Sequence, residues 1–184
     1  MTVTFPGTTV ETSVLEKDCS VRLFDGIFAA GGITLSQVSI MTGLEPYMIQ
    51  NWVKRGFLSS PQKRLYSREQ FARIITINML REVLPLETVS HLIHIISGNP
   101  HDVNDDLIGD EALYHRYVNL LADKAVNLSD PMSVRAAADR AAADFREPNP
   151  GAAAQLSHIL QAMLYAHTAS QMRDSATELL ASLQ

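Results

Sequence analysis

Residues 43–58 contain polar and basic side chains spaced to form one face of a helix. In GLEPYMIQNWVKRGFL, the apolar side chains Met48, Ile49, Trp52 and Val53 can pack inward. The set that remains outward is Tyr47, Gln50, Asn51, Lys54 and Arg55. Gln and Asn amides can pair with adenine through two hydrogen bonds, while Lys and Arg neutralise phosphate. An ordinary amphipathic surface helix with a solvated polar face is the alternative for this stretch taken alone.

A second basic segment follows directly. The stretch SSPQKRLY cannot easily be helical around Pro61, and it is short enough for a small two-stranded turn. We expect a β wing at residues 60–66, after a recognition helix at residues 46–56. Backbone contacts to DNA are then predicted for the basic and hydroxyl side chains of both elements, namely Lys54, Arg55, Lys63, Arg64, Tyr66 and Arg68. Base reading is predicted for Tyr47, Gln50 and Asn51.

Charge is unevenly distributed along the 184 residues, whose net charge is −5. The net charge is −2 for residues 1–33, +3 for residues 34–97 and −6 for residues 98–184. Between Glu45 and Arg81 there are seven basic and two acidic side chains. The positive charge therefore lies in one short stretch that can meet phosphate, although the overall acidity favours a protein or ligand partner.

The elements that position these residues are predicted to be helices. Apolar residues recur at three and four positions over most of the chain. Thr34 with Gln37 and Ser67 with Gln70 form capping boxes, Pro46 suits the first position of a helix, and Pro85 interrupts another. The helix from Ser67 is expected to run to about Val83. Later helices are expected on the stripe from Leu113 through Ala125 to Leu128, after Asp130 with Pro131, and along Leu156–Leu183.

The predicted fold class is all-α, a winged helix-turn-helix with a small β wing followed by a C-terminal helical bundle half. Three parts are expected: a lead-in segment at residues 1–33, poorly ordered over 1–20, a DNA-binding domain at residues 34–97, and a dimerisation or regulatory region at residues 98–184. The polar stretch GNPHDVNDD at residues 98–106 is predicted to connect the last two.

Residues 33–93 resemble the N-terminal domain of MerR-type regulators, in which two short helices, a wing and two more helices follow in this order. The segments that carry the resemblance are ITLSQVSIMTGL, EPYMIQNWVKRGFL, SPQKRLYSREQFARI and LREVLPLETVSHLI. The family's turn glycine, buried side chains and terminal Gly-Leu-Leu match, without gaps, Gly43, Ile49, Trp52, Gly56, Phe57 and Leu58. The segment is more similar still to bacterial proteins grouped as a domain of unknown function with a MerR-like DNA-binding region.

The resemblance implies a bacterial transcription regulator that binds double-stranded DNA. Two departures limit what it implies. The chain is interrupted at residues 98–106, where MerR-type regulators continue into one long helix, and Gln50 stands where an arginine that contacts phosphate is common. The promoter-untwisting mechanism and the ligands of that family are therefore not carried over.

Other chemistry-bearing residues form no complete motif. His91 and His94 lie three apart, with His101 and His115 further on, but no nearby thiol or carboxylate completes a metal site. The acidic cluster from Asp102 to Glu111 lacks the glycine placement of a calcium loop. His167 is expected to be a packed histidine, with a ligand pocket as the alternative. Cys19 is the single cysteine, and no catalytic motif occurs, so we expect neither enzymatic activity nor a cofactor.

The sequence therefore predicts a cytoplasmic DNA-binding regulator that acts as a homodimer, because one module of this size contacts one half-site. No run approaches the roughly eighteen apolar residues of a membrane helix, and the start lacks the features of a secretory signal. Two alternatives remain. The chain could be a helical protein-interaction module or a small-ligand-binding module, in either case one that keeps the winged-helix scaffold without binding DNA. An unknown effector in the C-terminal half is a further possible partner.

Overall fold

The computed structural model describes residues 2–97, 106–146 and 148–183. In that part of the chain the helices are α1 Cys19–Ile27, α2 Leu35–Thr42, α3 Pro46–Lys54, α4 Arg68–Leu80, α5 Leu86–Ser97, α6 Asp110–Ala122, α7 Pro131–Ala143 and α8 Ala152–Ala181. The strands are β1 Val3–Thr4, β2 Glu11–Thr12, β3 Ile33–Thr34 and β4 Leu65–Tyr66. The mostly helical architecture predicted from the sequence is confirmed. The winged helix-turn-helix assignment stays a prediction.

Local capping signals set the starts of α2, α4 and α7. The Thr34 hydroxyl accepts a hydrogen bond from the Gln37 backbone N–H at 3.3 Å. In return, the side-chain amide oxygen of Gln37 accepts one from the Thr34 backbone N–H at 2.8 Å. The same reciprocal pair forms between Ser67 and Gln70. At α7 the Asp130 carboxylate accepts from the Met132 N–H, with Pro131 in the first helical position. These bonds satisfy backbone donors that lack partners inside the helix.

Three helix ends differ from their predicted positions. Helix α3 ends at Lys54, two residues before the predicted end at residue 56. Helix α4 ends at Leu80 and its last turn becomes a loop before α5, so Val83 lies outside the helix. Helix α6 ends at Ala122, which leaves exposed Ala125 and half-buried Leu128 in the loop before α7. The apolar spacing continued past α4 and α6 because Val83 and Leu128 pack against the core from these loops.

Helix α4 is the centre of the core. Every side chain from Ile74 to Leu80 is buried, as expected for a helix surrounded by other elements. Helices α2, α6 and α8 all pack against it, and α7 packs against α8. One apolar cluster joins Phe5 near the start of the chain, α4 and the first half of α8. The proposed parts at residues 34–97 and 98–184 thus share a core, while their assignment as separate domains stays a prediction.

The lead-in segment is packed, contrary to the expectation of poor order over residues 1–20. Strands β1 and β2 form an antiparallel hairpin whose connecting loop lies on α4. Phe5 is buried, and the Tyr114 hydroxyl of α6 donates to the Pro6 carbonyl at 2.9 Å. Gly7 has φ +74°, and a Cβ there would lie 2.1 Å from the Ile75 carbonyl oxygen. The polar, proline- and glycine-containing sequence of this segment gives no local sign of its packing, because its contacts are made with distant parts of the chain.

The connector between α5 and α6 lies largely outside the described residues, which resume at Asp106. His101, Asp102 and Asp105 fall in that gap, so the structure does not address their predicted roles. Within the described residues, no helix is long and apolar enough to cross a membrane.

Candidate nucleic-acid interface

Helix α3 separates its apolar and polar side chains as its spacing predicts. Ile49 and Trp52 are buried, and Met48 and Val53 are half-buried. All of the predicted outward residues are exposed, namely Tyr47, Gln50, Asn51, Lys54 and Arg55. The first four lie at helical spacings of three, one and three residues, so they share one face. Along the chain, that face presents a phenol hydroxyl, then two amides and finally its single lysine.

Helices α2 and α3 are joined by a tight turn. Gly43 ends α2 with φ +68°, the left-handed region that glycine adopts at little cost. The Ser39 hydroxyl donates to the Leu44 carbonyl at 2.5 Å, and the Thr42 hydroxyl accepts from the Leu44 N–H at 3.3 Å. Leu44 itself is buried. These short-range bonds hold the angle between the two helices.

The helix pair is also anchored from outside. Thr9, in the loop between β1 and β2, donates from its N–H to Met41 and from its hydroxyl to Ile40, each bond being 2.8 Å long. The buried Asn78 amide of α4 donates to the carbonyls of Gly7 and Thr42 at 3.0 Å each. Sequence reasoning missed both anchors, because nothing in a threonine or an asparagine indicates a partner more than thirty residues away.

The basic turn at residues 62–65 is a two-residue hairpin. Gln62 and Leu65 form an antiparallel bridge, and the Leu65 N–H donates to the Gln62 carbonyl at 2.8 Å. Lys63 and Arg64 between them have φ values of +50° and +65°. Two central residues at positive φ define a type I′ turn, in which asparagine and glycine are the preferred residues. Strand β4 then pairs with β3, joining Tyr66 to Ile33 and Leu65 to Thr34.

Two of the expected backbone-contact residues are occupied within the protein. The Arg68 guanidinium forms ion pairs with Asp25 at 2.9 Å and with Glu111 at 2.7 Å, and it lies 5.9 Å from the ring centres of Phe24 and Phe28. Tyr66 is 3% exposed, and burial raises the pKa of its hydroxyl. Arg68 thus links α4 to α1 and α6, and Tyr66 is a core residue, while the DNA contacts expected of the two stay predictions.

The remaining basic residues between Glu45 and Arg81 fall into two groups: some are bonded to other side chains of the protein, and others are exposed without an ion pair. Arg73 pairs with the buried Asp110 at 2.8 Å and also donates to Ser97, while Arg81 donates to the Asn78 side chain at 3.0 Å. In contrast, Lys54, Arg55, Lys63 and Arg64 are exposed and have no ion pair among the described residues. Arg81 is also exposed without an ion pair among the described residues, but its guanidinium is bonded to Asn78. The exposed cations of this region with neither an ion pair nor a side-chain hydrogen bond among the described residues are therefore those at the end of α3 and at the hairpin tip.

The histidines show other uses. His115 bonds through Nδ1 to the Ser20 hydroxyl at 2.9 Å and through Nε2 to Glu111 at 3.1 Å. Arg68 and His115 together lower the pKa of Glu111 against the opposing effect of its burial. His91 and His94 are exposed on α5. Within the described ranges no three His, Cys, Asp or Glu side chains are grouped as in a metal site.

His167 of α8 is packed, as expected. Its ring meets the Tyr117 ring edge-on, with 6.3 Å between the two ring centres. Burial lowers its pKa. Cys19 is buried at the start of α1. A separate cleft of about 280 Å³ lies between α6 and α7, lined by residues that include Arg116, Arg140 and Asp123. His167 does not line it, so the cleft is distinct from the ligand pocket considered around that histidine.

Residues 32–117 match the model of a family described as a domain of unknown function (DUF1836). The match begins just before β3, covers the whole candidate interface and continues into α6, past the predicted boundary at residue 97. It agrees with the similarity to a domain of unknown function and supplies no link to MerR-type regulators. No curated protein and no solved structure matches the chain.

Proposed function

We propose that this protein binds double-stranded DNA through α3 and the hairpin at residues 62–65. The observation that carries the proposal is the division of the basic residues. Arg68 and Arg73 are neutralised by carboxylates from α1 and α6, whereas Lys54, Arg55, Lys63 and Arg64 stay exposed and unpaired among the described residues. Exposed cations grouped at two adjacent chain segments suit phosphate, which supplies most of the affinity in non-specific DNA binding.

The geometry of the hairpin tip supports the same proposal. A non-glycine residue in the left-handed region costs roughly 1–2 kcal/mol, and Lys63 and Arg64 both adopt it. Asparagine and glycine would form this turn more easily. Basic residues at a strained tip are explained if their charge is used there, and strain of this kind is common at functional sites.

The exposed amides of α3 are proposed to read base edges. Gln50 and Asn51 lie in the middle of the helix, and their outward side chains have no hydrogen-bond partner among the described residues. In helix-turn-helix proteins the early turns of the second helix enter the major groove. The likeness to MerR-type regulators and a role in transcription regulation belong to this proposal.

The proposal is tested by the salt dependence of binding to a random-sequence duplex, followed by fluorescence anisotropy. The affinity of the full chain should fall steeply with salt, and Arg64→Ala should make the slope of log K against log salt shallower by about one unit. Arg140→Ala, which removes an exposed arginine from α7, is the matched control and should keep the parent slope. A parent protein that binds no duplex even at low salt would overturn the proposal.

Base reading is tested separately with Gln50→Ala. A duplex is first selected from a random library with the parent protein. The variant should then lose roughly 1–3 kcal/mol of binding free energy on the selected duplex and little on random DNA. Equal losses on both duplexes would assign Gln50 to the backbone, and no loss on either would remove it from the interface.

An effector site is the second candidate function, favoured by the cleft between α6 and α7. Arg116 is already paired with Asp144 at 2.7 Å, whereas Arg140 has no ion pair among the described residues. The cleft thus offers a small ligand one cation without an ion pair, together with the carboxylate of Asp123. A shift of the unfolding temperature by carboxylate compounds that Arg140→Ala abolishes would establish it, and DNA binding would be measured with and without the compound.

A further inference from the structure

We propose that residues 168–183, which comprise the last part of α8 and the two residues after it, pair antiparallel with the same segment of a second copy of the chain, about a two-fold axis between Ser175 and Ala176. The inference refines the predicted homodimer, whose apolar surface was expected along Leu156–Leu183. It stands on α8 alone and does not depend on DNA binding.

The two halves of α8 differ in burial. Leu156, Leu160 and Met163 belong to the core, so the first half of the predicted surface is used inside one copy. From Gln171 to Leu183 every residue is exposed, including Met172 at 63%, Leu179 at 69% and Leu183 at 81%. A helix end without packing is marginally stable in water, and exposed apolar side chains grouped together mark interaction sites.

Five exposed side chains and half-buried Thr168 form a stripe with symmetric spacing. Its members are Thr168, Met172, Ser175, Ala176, Leu179 and Leu183, which are separated by four, three, one, three and four residues. These spacings place the first five on one face of the helix, and Leu183 follows two residues after the helix ends. Because the order of intervals is the same in both directions, an antiparallel copy sets Met172 opposite Leu179 and Thr168 opposite Leu183. A two-fold contact requires this self-complementarity.

The chemistry along the stripe suits a copy of itself. Small residues stand at its centre, which lets two helices approach closely, and the larger apolar side chains stand on either side. The charged residues of the segment, Arg173, Asp174 and Glu178, fall outside the stripe, so no like charges face each other across the proposed axis. Arg173 is instead turned to Glu82, whose carbonyl accepts from its guanidinium at 2.7 Å.

A groove beside the stripe enlarges the surface. Leu128 and Ser129, from the loop before α7, form its other wall, and its volume is about 440 Å³. Thr168, Met172 and Leu179 of the stripe line the same groove. A stable dimer buries roughly 1,200–2,000 Å² in total, and the groove lets the partner helix contact this loop as well as α8.

The first test is the mass of the full chain in solution by sedimentation equilibrium. The expected mass is twice the 20.3 kDa of one chain. Leu179→Glu should halve it while circular dichroism remains that of a folded helical protein, because Leu179 is exposed in the single copy. Met132→Glu, at an equally exposed site on α7, is the matched control and should stay dimeric.

The second test is the direction of pairing. The variants Met172→Cys and Leu179→Cys should form few disulfide-linked dimers when oxidised separately, and many when mixed, since the proposed axis sets these positions opposite each other. The natural Cys19 is buried and away from the stripe. A parent chain that is monomeric at every concentration, a dimer that survives Leu179→Glu, or cross-linking of each variant with itself would overturn the proposal.

Discussion

At the scale of single residues, Lys63 and Arg64 combine an unfavourable backbone conformation with an exposed position that suits the proposed contact with DNA. Both have positive φ at the centre of a type I′ turn, and both side chains are exposed. Among the described residues, no acidic side chain forms an ion pair with either of them. Stability and DNA binding should therefore respond in opposite directions when the two residues are replaced.

The double variant Lys63→Asn with Arg64→Gly tests this opposition. We expect the free energy of unfolding to rise by roughly 1–2 kcal/mol, because Asn-Gly is the preferred pair in this turn. Binding to random duplex DNA should weaken at the same time, since two phosphate contacts are lost. Urea unfolding and anisotropy measure the two effects. A variant that is more stable and binds as the parent does would show that the strain has no part in DNA binding.

Burial decided which residues of the predicted interface remain available. Tyr66 and Arg68 have suitable side chains and follow the hairpin directly, as a phosphate-contacting wing requires. Tyr66 is buried in the core, and Arg68 forms ion pairs with the carboxylates of Asp25 and Glu111. Those carboxylates lie 43 residues away on either side of Arg68 in sequence, so no local pattern indicates the pairing.

At the scale of elements, the hairpin formed by β1 and β2 supports the helix pair of the candidate interface. Thr9 holds the end of α2, and Gly7 lets the loop lie directly against the backbone of α4. The contact is possible only without a side chain at residue 7, because a Cβ there would overlap the Ile75 carbonyl.

A pair of glycine substitutions tests that support. Gly7→Ala should lower the free energy of unfolding by about 2–5 kcal/mol, through overlap with α4 and a positive φ. Gly26→Ala in α1 is the matched control, since a Cβ there meets nothing within 4 Å. It should raise stability by up to about 1 kcal/mol, the difference in helix propensity between the two residues. Urea unfolding of both variants measures these changes. If the two substitutions changed the free energy of unfolding alike, the packing of the lead-in segment against α4 would be contradicted.

At the scale of the whole molecule, an ion pair links the region of the candidate interface to the C-terminal half. Arg73 of α4 donates to Asp110 at the start of α6, and the carboxylate is almost fully buried. Burial raises the pKa of Asp110 to about 6 from its ordinary 3.8, against the opposing effect of Arg73. The folded state thus binds the proton more tightly than the unfolded state does.

The pH dependence of stability follows from that sign. The contribution of Asp110 is fully present below pH 4 and is lost as pH rises through about 6. The difference in free energy of unfolding between the parent and Asp110→Asn should therefore fall by up to about 3 kcal/mol between pH 4 and pH 7. Taking the difference removes the opposite contribution of Glu111, whose pKa is lowered. A difference that stays constant over this range would contradict the raised pKa.

Much of the secondary structure could be predicted from the sequence, because its signals are local. The capping boxes at Thr34 and Ser67 and the prolines at 46, 85 and 131 act within a few residues of the backbone groups they satisfy or block. The outward face of α3 was likewise readable, since helical spacing alone determines which side chains share a face. The mostly helical class and the exposure of Tyr47, Gln50 and Asn51 followed from such signals.

Only the tertiary structure decided which basic residues remain unpaired, whether the lead-in segment is packed, and where the apolar face of α8 becomes exposed. Each depends on contacts between parts of the chain that are distant in sequence: Arg68 with Glu111, Gly7 with Ile75, and α8 with α4. Spacing along the chain determines the faces of a helix. Whether a face meets a neighbour or solvent depends on how all the helices pack, so the candidate interface and the free stripe of α8 became apparent only in the folded molecule.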